Sequence, residues 1–111
     1  MFKNLFKSKE EIRPELVLAF RWKMPDKLNV NIKPSLDGGF IGEVTNLPGC
    51  ITQGETGQEI FEMVNDAVYS YLEIPEEYKI HMPSFLPPEE TRQALNIKLP
   101  NYSQDLVLVK S

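Results

Sequence analysis

The sequence is poor in the residues that build disulfide-linked or metal-bound folds: its 111 residues include one cysteine, one histidine and one tryptophan. A lone Cys50 excludes a disulfide bond within the chain, and with His81 as the only histidine the chain cannot form a Cys/His zinc site by itself. No apolar run approaches the roughly 20 residues that a membrane-spanning helix needs. We therefore expect a reducing, cytoplasmic setting, with no metal and no cofactor.

Basic residues are the minority among the charges. The chain has 16 acidic and 12 basic residues, and its formal net charge is −4. This balance argues against non-specific nucleic-acid binding, in which Lys and Arg neutralise phosphates, and it is compatible with a basic protein partner. The length suits a single domain.

The first residues of the chain have a pattern of their own. Residues 1–13 alternate basic and apolar side chains and lack the continuous apolar stretch of a signal peptide. We interpret them as an N-terminal arm that precedes one domain of residues 14–111. Three alternatives stay open for the arm: it is frayed, it packs on a partner, or it anchors at a membrane surface.

Alternating apolar residues predict four strands before residue 54. The first spans residues 16–23, with Leu16, Leu18, Phe20 and Trp22 on one face and Trp22 in the core. The second spans residues 28–33 and closes a hairpin with the first. The third and fourth, residues 40–45 and 50–53, follow two turns rich in glycine.

A long amphipathic helix follows. Thr56 and Glu59 form a capping box, in which the hydroxyl accepts from an early helical amide and the carboxylate reaches back to the amide of the cap. The predicted buried stripe is Ile60, Met63, Val64, Ala67, Val68, Tyr71 and Leu72. Its predicted solvent side is Glu62, Asn65, Asp66 and Ser70, with Phe61 off the stripe and a stop at Ile74-Pro75.

The signal weakens after Pro75. We predict a helical turn at 76–78, a brief strand at Tyr78, Ile80 and Met82, an extended connector at 82–89, and short strands at 95–99 and 106–109. The order of elements predicts an α+β domain, a small antiparallel sheet with the long helix packed on one face.

Three sequence blocks resemble the HicB-like antitoxin family over residues 28–75. They are Asp37-Gly38-Gly39-Phe40, Leu47-Pro48-Gly49-Cys50 and Thr52-Gln53-Gly54-Glu55-Thr56, at the family's spacing. The resemblance implies a partial ribonuclease-H-like fold that serves as a scaffold rather than an enzyme. It also implies a partner, the small basic RNA-cleaving toxin HicA, whose surface the scaffold covers.

The chain departs from this family in its C-terminal segment. Antitoxin members usually carry a helix-turn-helix or ribbon-helix-helix there, but residues 83–111 have no such periodicity. Residues 91–99 resemble the strand of a ribbon-helix-helix, yet no two helices follow them. We therefore expect no DNA-binding module. Thr45-Asn46 also stands where Pro-Asp is common in the family.

The acidic residues offer a candidate partner-binding surface. Carboxylates facing a basic nuclease occupy the groove meant for RNA phosphates and speed association, although an ordinary solvated face has the same composition. The predicted partner-binding residues are Asp37, Glu43, Glu55, Glu62, Asp66 and the aromatic Phe61. Pairing of two copies through an exposed strand edge is a further expectation.

Two other functions compete with the inhibitor interpretation. One is a stand-alone RNA-binding protein with a degenerate ribonuclease-H-like fold, which the acidic balance disfavours. The other is a metal-dependent nuclease, which needs three or four converging carboxylates around two Mg²⁺ ions, whereas only Asp37 and Glu43 come close to each other on the strands. We also predict a structural, buried Cys50 and a surface or half-buried His81.

Overall fold

The computed structural model describes residues 11–89 and 102–110. Within these ranges the chain forms the helices α1 (Pro14–Lys23), α2 (Gly57–Tyr71) and α3 (Glu76–Lys79). It forms the strands β1 (Lys27–Pro34), β2 (Phe40–Val44), β3 (Cys50–Gly54), β4 (Phe85–Leu86) and β5 (Gln104–Lys110). The predicted strand at 95–99 lies outside the described residues, as do residues 1–10 of the predicted arm.

The strands form one antiparallel sheet in the order β3-β2-β1-β5-β4. β1 lies at its centre because its alternating Leu28, Val30 and Ile32 are fully buried on one face. Val30 is opposite Val44 of β2 and Leu106 of β5, so apolar side chains line up across the sheet. The predicted α+β class, an antiparallel sheet with a long helix on one face, is confirmed.

The long helix α2 begins as the sequence predicts. The Glu59 amide donates to Thr56 Oγ1 at 3.1 Å, and Ile60, Val64 and Val68 are completely buried against the sheet. The Glu59 carboxylate accepts from the amide of Glu55 at 3.0 Å, one residue before the expected cap amide. The first bond satisfies an amide that the first helical turn leaves unpaired, and the second ties the residue before the cap to the helix.

The buried side of α2 is rotated relative to the prediction. Asn65 and Tyr69 turn inward, whereas Met63 and Tyr71 are exposed. The cause is a contact twenty residues away: the Asn65 amide donates to Phe85 O at 2.8 Å and its oxygen accepts from Phe85 N at 2.6 Å. The Tyr69 hydroxyl donates to Pro83 O at 2.8 Å. The predicted solvent position of Asn65 is therefore wrong.

The first predicted strand is wrong, because residues 14–23 form the helix α1. Pro14 occupies the start of the helix and Glu15 its first turn, while Arg21 and Lys23 lie in its last turn, all of which favour a helix. Ile12 and three α1 residues at helical spacing pack against the core. Trp22 lies on the other side and is 88% exposed, so its predicted core position is also wrong.

The segment after α2 turns sharply and then extends. Ile74 N donates to Tyr69 O at 2.9 Å and Glu73 N to Ser70 O at 3.0 Å, with Glu73 in the left-handed region at φ 58°. The predicted turn after Pro75 is confirmed as α3. The predicted strand through Ile80 and Met82 is wrong, since Met82 N donates to Lys79 O within a turn.

The remaining predictions for the C-terminal part hold where the structure describes it. The strand at 106–109 is confirmed within β5, and the extended connector contains the short β4.

Arg13, the last residue of the predicted arm, donates its backbone amide to the Tyr78 hydroxyl at 3.0 Å. None of the helices in the described ranges combines the length and the apolar character that crossing a bilayer requires.

Candidate functional site

The first and third sequence blocks come together where α2 begins on the sheet. A Cβ atom added to Gly54 would lie 2.8 Å from Ile60 N, and one added to Gly42 would lie 3.1 Å from Val64 Cγ2. Gly39 has φ +72°, and a Cβ there would lie 2.6 Å from Gly54 O. Gly39 and Gly54 let backbone approach backbone, and Gly42 leaves room for the side chains of Ile60 and Val64. These glycines therefore explain how α2 packs on the sheet and indicate no chemistry.

An acidic ridge runs along the outer side of α2. We define it as Glu55, Glu59, Glu62 and Asp66, all of which are exposed. Glu62 and Asp66 are one helical turn apart, so their carboxylates stand side by side. Glu59 closes the helix cap, and Gln58 Nε2 lies 3.4 Å from a Glu62 oxygen. The ridge presents acceptor groups and negative charge to solvent.

One cation lies at the far end of this ridge. Lys79 Nζ is 3.0 Å from Glu76 Oε2 and 3.2 Å from Asp66 Oδ1. The hydrogen bond with Glu76, followed by that with Asp66, raises the pKa of the Lys79 ammonium above its ordinary value. Lys79 therefore stays charged and partly offsets Asp66, which leaves the strongest negative charge at the Glu55–Glu62 end.

The structure brings four of the predicted partner-binding residues to one side. Asp37 is exposed in the turn between β1 and β2, and the neighbouring Gly39 lies against Gly54 and Glu55. Asp37 thus shares a corner with the first residue of the ridge. Glu55 lies just before α2, and Glu62 and Asp66 follow along it. Their role in partner binding stays a prediction.

Glu43 and Phe61 lie elsewhere. On β2 the neighbours Gly42 and Val44 face α2, so Glu43 points to the opposite face of the sheet and stands opposite Ile51. Phe61 is half-buried and packs against the core on the inward flank of α2. Glu43 and the ridge therefore lie on opposite sides of the sheet.

The described residues offer little reactive chemistry. No group of three or more His, Cys, Asp or Glu side chains among them is arranged to hold a metal ion. Cys50 is buried as predicted, and burial raises the pKa of its thiol. His81 is half-buried as predicted, and its carbonyl accepts from Arg21 Nε at 2.9 Å.

The sequence analysis missed two features of the structure. Asn65 joins β4 to α2. Because Asn65 is polar, the sequence analysis assigned it to the solvent side of the helix. Its position one helical turn from both Phe61 and Tyr69 is the signal that could have indicated an inward side chain. Trp22 lies exposed beside Leu18 on α1. Its exposure follows from the helical spacing of that segment, which the alternating interpretation concealed.

Comparison with known proteins gives the family. No family model matches the sequence, and no solved structure does. A UPF0150 protein of Archaeoglobus fulgidus is 38% identical over 48 residues, which are 43% of this chain and 70% of that protein. A UPF0150 protein of Thermoplasma acidophilum is 38% identical over 47 residues, 42% of this chain and 68% of that protein. The chain belongs to the UPF0150 family.

The UPF0150 match has a limited extent. It takes in most of each relative but less than half of this chain. The name UPF0150 states no activity, ligand or partner.

Proposed function

We propose that this UPF0150 protein is a non-catalytic, HicB-like antitoxin-type inhibitor that binds a small basic RNA-cleaving toxin or another basic effector. The observation that carries the proposal is the acidic ridge on α2, joined at its Glu55 end by Asp37. The resemblance of the three sequence blocks to HicB-like antitoxins supports the same function. Such a protein needs no catalytic group of its own, and it acts by occupying its partner's surface.

The ridge is suited to a nuclease because of what an RNA-binding surface contains. A protein that binds RNA holds the phosphates with Lys and Arg. Carboxylates at regular helical spacing carry negative charge, as the phosphates do, and can bind the same Lys and Arg side chains. Rigid placement on α2 means that the ridge loses little conformational freedom on binding. Complementary charge speeds the encounter, and the bound helix then excludes RNA by occupying its site.

Charge reversal on the ridge tests the proposal. The full chain is purified from its native cell at low salt, the attached basic protein is identified, and its affinity for the variants is measured by calorimetry. Glu62→Lys with Asp66→Lys should weaken the complex by about tenfold or more. The matched control is Glu11→Lys with Asp26→Lys, which changes net charge equally on exposed residues away from α2 and should change affinity by about twofold at most.

An enzymatic readout checks inhibition directly. The isolated partner should cleave RNA, and adding the wild-type protein should stop cleavage, while the ridge variant should do so only at higher concentration. If neither the ridge substitutions nor added salt changes the affinity for the basic partner, the proposal is contradicted. Binding of structured RNA by this protein alone at low salt, lost as salt rises, would instead favour the RNA-binding alternative.

A further inference from the structure

The sheet ends in two edges that differ in protection. β4 has only two residues and lies between Pro83 and the pair Pro87-Pro88, and short strands beside prolines discourage further pairing. β3 has five residues and contains neither proline nor a charged side chain. No described strand pairs with its outer side. β3 is therefore the edge that can accept another strand.

Hydrogen bonds inside the sheet show which groups of β3 point outward. Thr45 N donates to Asn29 O at 2.7 Å, so the backbone of Thr45 faces β1. The direction alternates along an antiparallel strand, so Gly42, three residues earlier, faces β3. Gly42 lies opposite Thr52, whose amide and carbonyl consequently face β2. The neighbours of Thr52 on either side direct their amides and carbonyls away from the sheet.

We infer that β3 pairs with β3 of a second copy of the chain, antiparallel about a two-fold axis through Thr52. In this register Ile51 lies opposite Gln53 of the second copy, and Gln53 lies opposite its Ile51. Every outward amide and carbonyl of these two residues is then paired. The axis also places Thr52 against itself, and a cross-strand threonine pair is favourable.

The side of α2 nearest this edge supports a second copy as the occupant. The sheet curls around α2 so that β4 covers the flank carrying Asn65, which leaves the opposite flank on the β3 side. That flank carries Met63 and Tyr71, which are 38% and 43% exposed. Two copies joined through β3 bring these apolar side chains toward each other above the extended sheet.

Charge does not oppose this pairing. β3 is uncharged, so two copies of it meet without repulsion along the shared edge. The acidic ridge points away from the sheet and stays free. The inference therefore goes beyond the proposed inhibitor function and stands or falls independently of it.

Sedimentation equilibrium of the full chain tests the pairing. Ile51 is 59% exposed, and Ile51→Lys places a charge on each side of the axis, which should raise the dimer dissociation constant about tenfold or more. Gln53→Pro removes an outward amide, which an edge strand tolerates, and should have the same effect. The matched control is Val107→Lys, on the same face of the sheet but on β5, which should leave the constant within about twofold.

A cysteine cross-link tests the position of the axis. In antiparallel sheets the closely spaced type of pair has a Cα–Cα distance of about 4.5 Å, within the range of a disulfide. Thr52→Cys with Cys50→Ser should form a covalent dimer on oxidation about tenfold faster than Ile80→Cys in the same background, since Ile80 is exposed away from β3. Equal rates would overturn the axis through Thr52. A wild-type chain that stays monomeric at millimolar concentration, or a dimer unaffected by both edge variants, would overturn the pairing.

Discussion

The two longer helices of the described chain are held in different ways. α2 has a side-chain cap and buries four residues, Ile60, Val64, Val68 and Tyr69, above the closely approaching Gly42 and Gly54. α1 has no side-chain cap and no fully buried residue. It is attached through half-buried apolar contacts, the edge-on packing of Phe20 on Tyr78, and the bond from Arg21 to His81 O.

This difference shows where the fold is specified. Gly42 and Gly54, which allow the close packing, lie directly beneath α2. α1 covers one end of the core, which it shares with α3, and depends on side chains that remain partly in water. We therefore expect substitutions under α2 to affect global stability and most substitutions on α1 to have small effects.

Gly54→Ala should cause a large loss of stability. The new Cβ would lie 2.8 Å from Ile60 N and 2.9 Å from Ile60 Cα, and backbone atoms cannot move aside cheaply. We expect the free energy of unfolding to fall by about 3 kcal/mol, measured by urea titration with circular dichroism. Gly49→Ala is the control: at φ +87° with nothing within 4 Å it should lose about 1–2 kcal/mol through backbone strain alone. Equal losses would contradict the close-approach explanation.

A matched pair of side-chain truncations should show that α2 contributes more to stability than α1. Val64→Ala removes fully buried methyl groups from α2 and should lower the free energy of unfolding by about 2 kcal/mol. Leu18→Ala removes a larger but 59% exposed side chain from α1 and should cost about 0.5 kcal/mol or less. The midpoints of urea unfolding measure both. A cost at Leu18 as large as at Val64 would mean that α1 packs on the core as firmly as α2.

Substitutions at the helix caps should change the free energy of unfolding by about 1 kcal/mol or less. Thr56→Ala removes the acceptor that lies 3.1 Å from Glu59 N and should cost about 1 kcal/mol. Arg13 precedes α1 without a side-chain cap bond, so Arg13→Ser should stabilise by about 0.5 kcal/mol despite losing an exposed ion pair with Glu15. Thermal unfolding of both variants gives the sign. Opposite signs are expected, and a destabilising Arg13→Ser would show that the exposed pair outweighs the new cap.

The regions with a single clear period were predictable from the sequence. β1 alternates strictly and α2 carries both a cap and a stripe, so local patterns determined their type. The middle of the segment that became α1, residues 16–20, is apolar at every position, so alternation and helical spacing both fit it. Pro14 at the start and the basic last turn were the signals that decide for a helix.

The candidate site was predictable in part for the same reason. Helical periodicity places Glu62 and Asp66 together without further information. Strand alternation could have placed Glu43 on the opposite face once Gly42 was assigned to the helix side. The rotation of α2 was not predictable locally, because the Asn65 bonds to Phe85 join residues twenty positions apart.

The exposure of Trp22 determines what optical experiments on this protein can report. It is the chain's single indole, and at 88% exposure it already has a largely aqueous surrounding. Its fluorescence emission should therefore change little when the core unfolds, and unfolding followed by tryptophan fluorescence should show only a small change in signal. The same indole would respond strongly to any molecule that settles on α1, which makes it a built-in reporter of binding there rather than of folding.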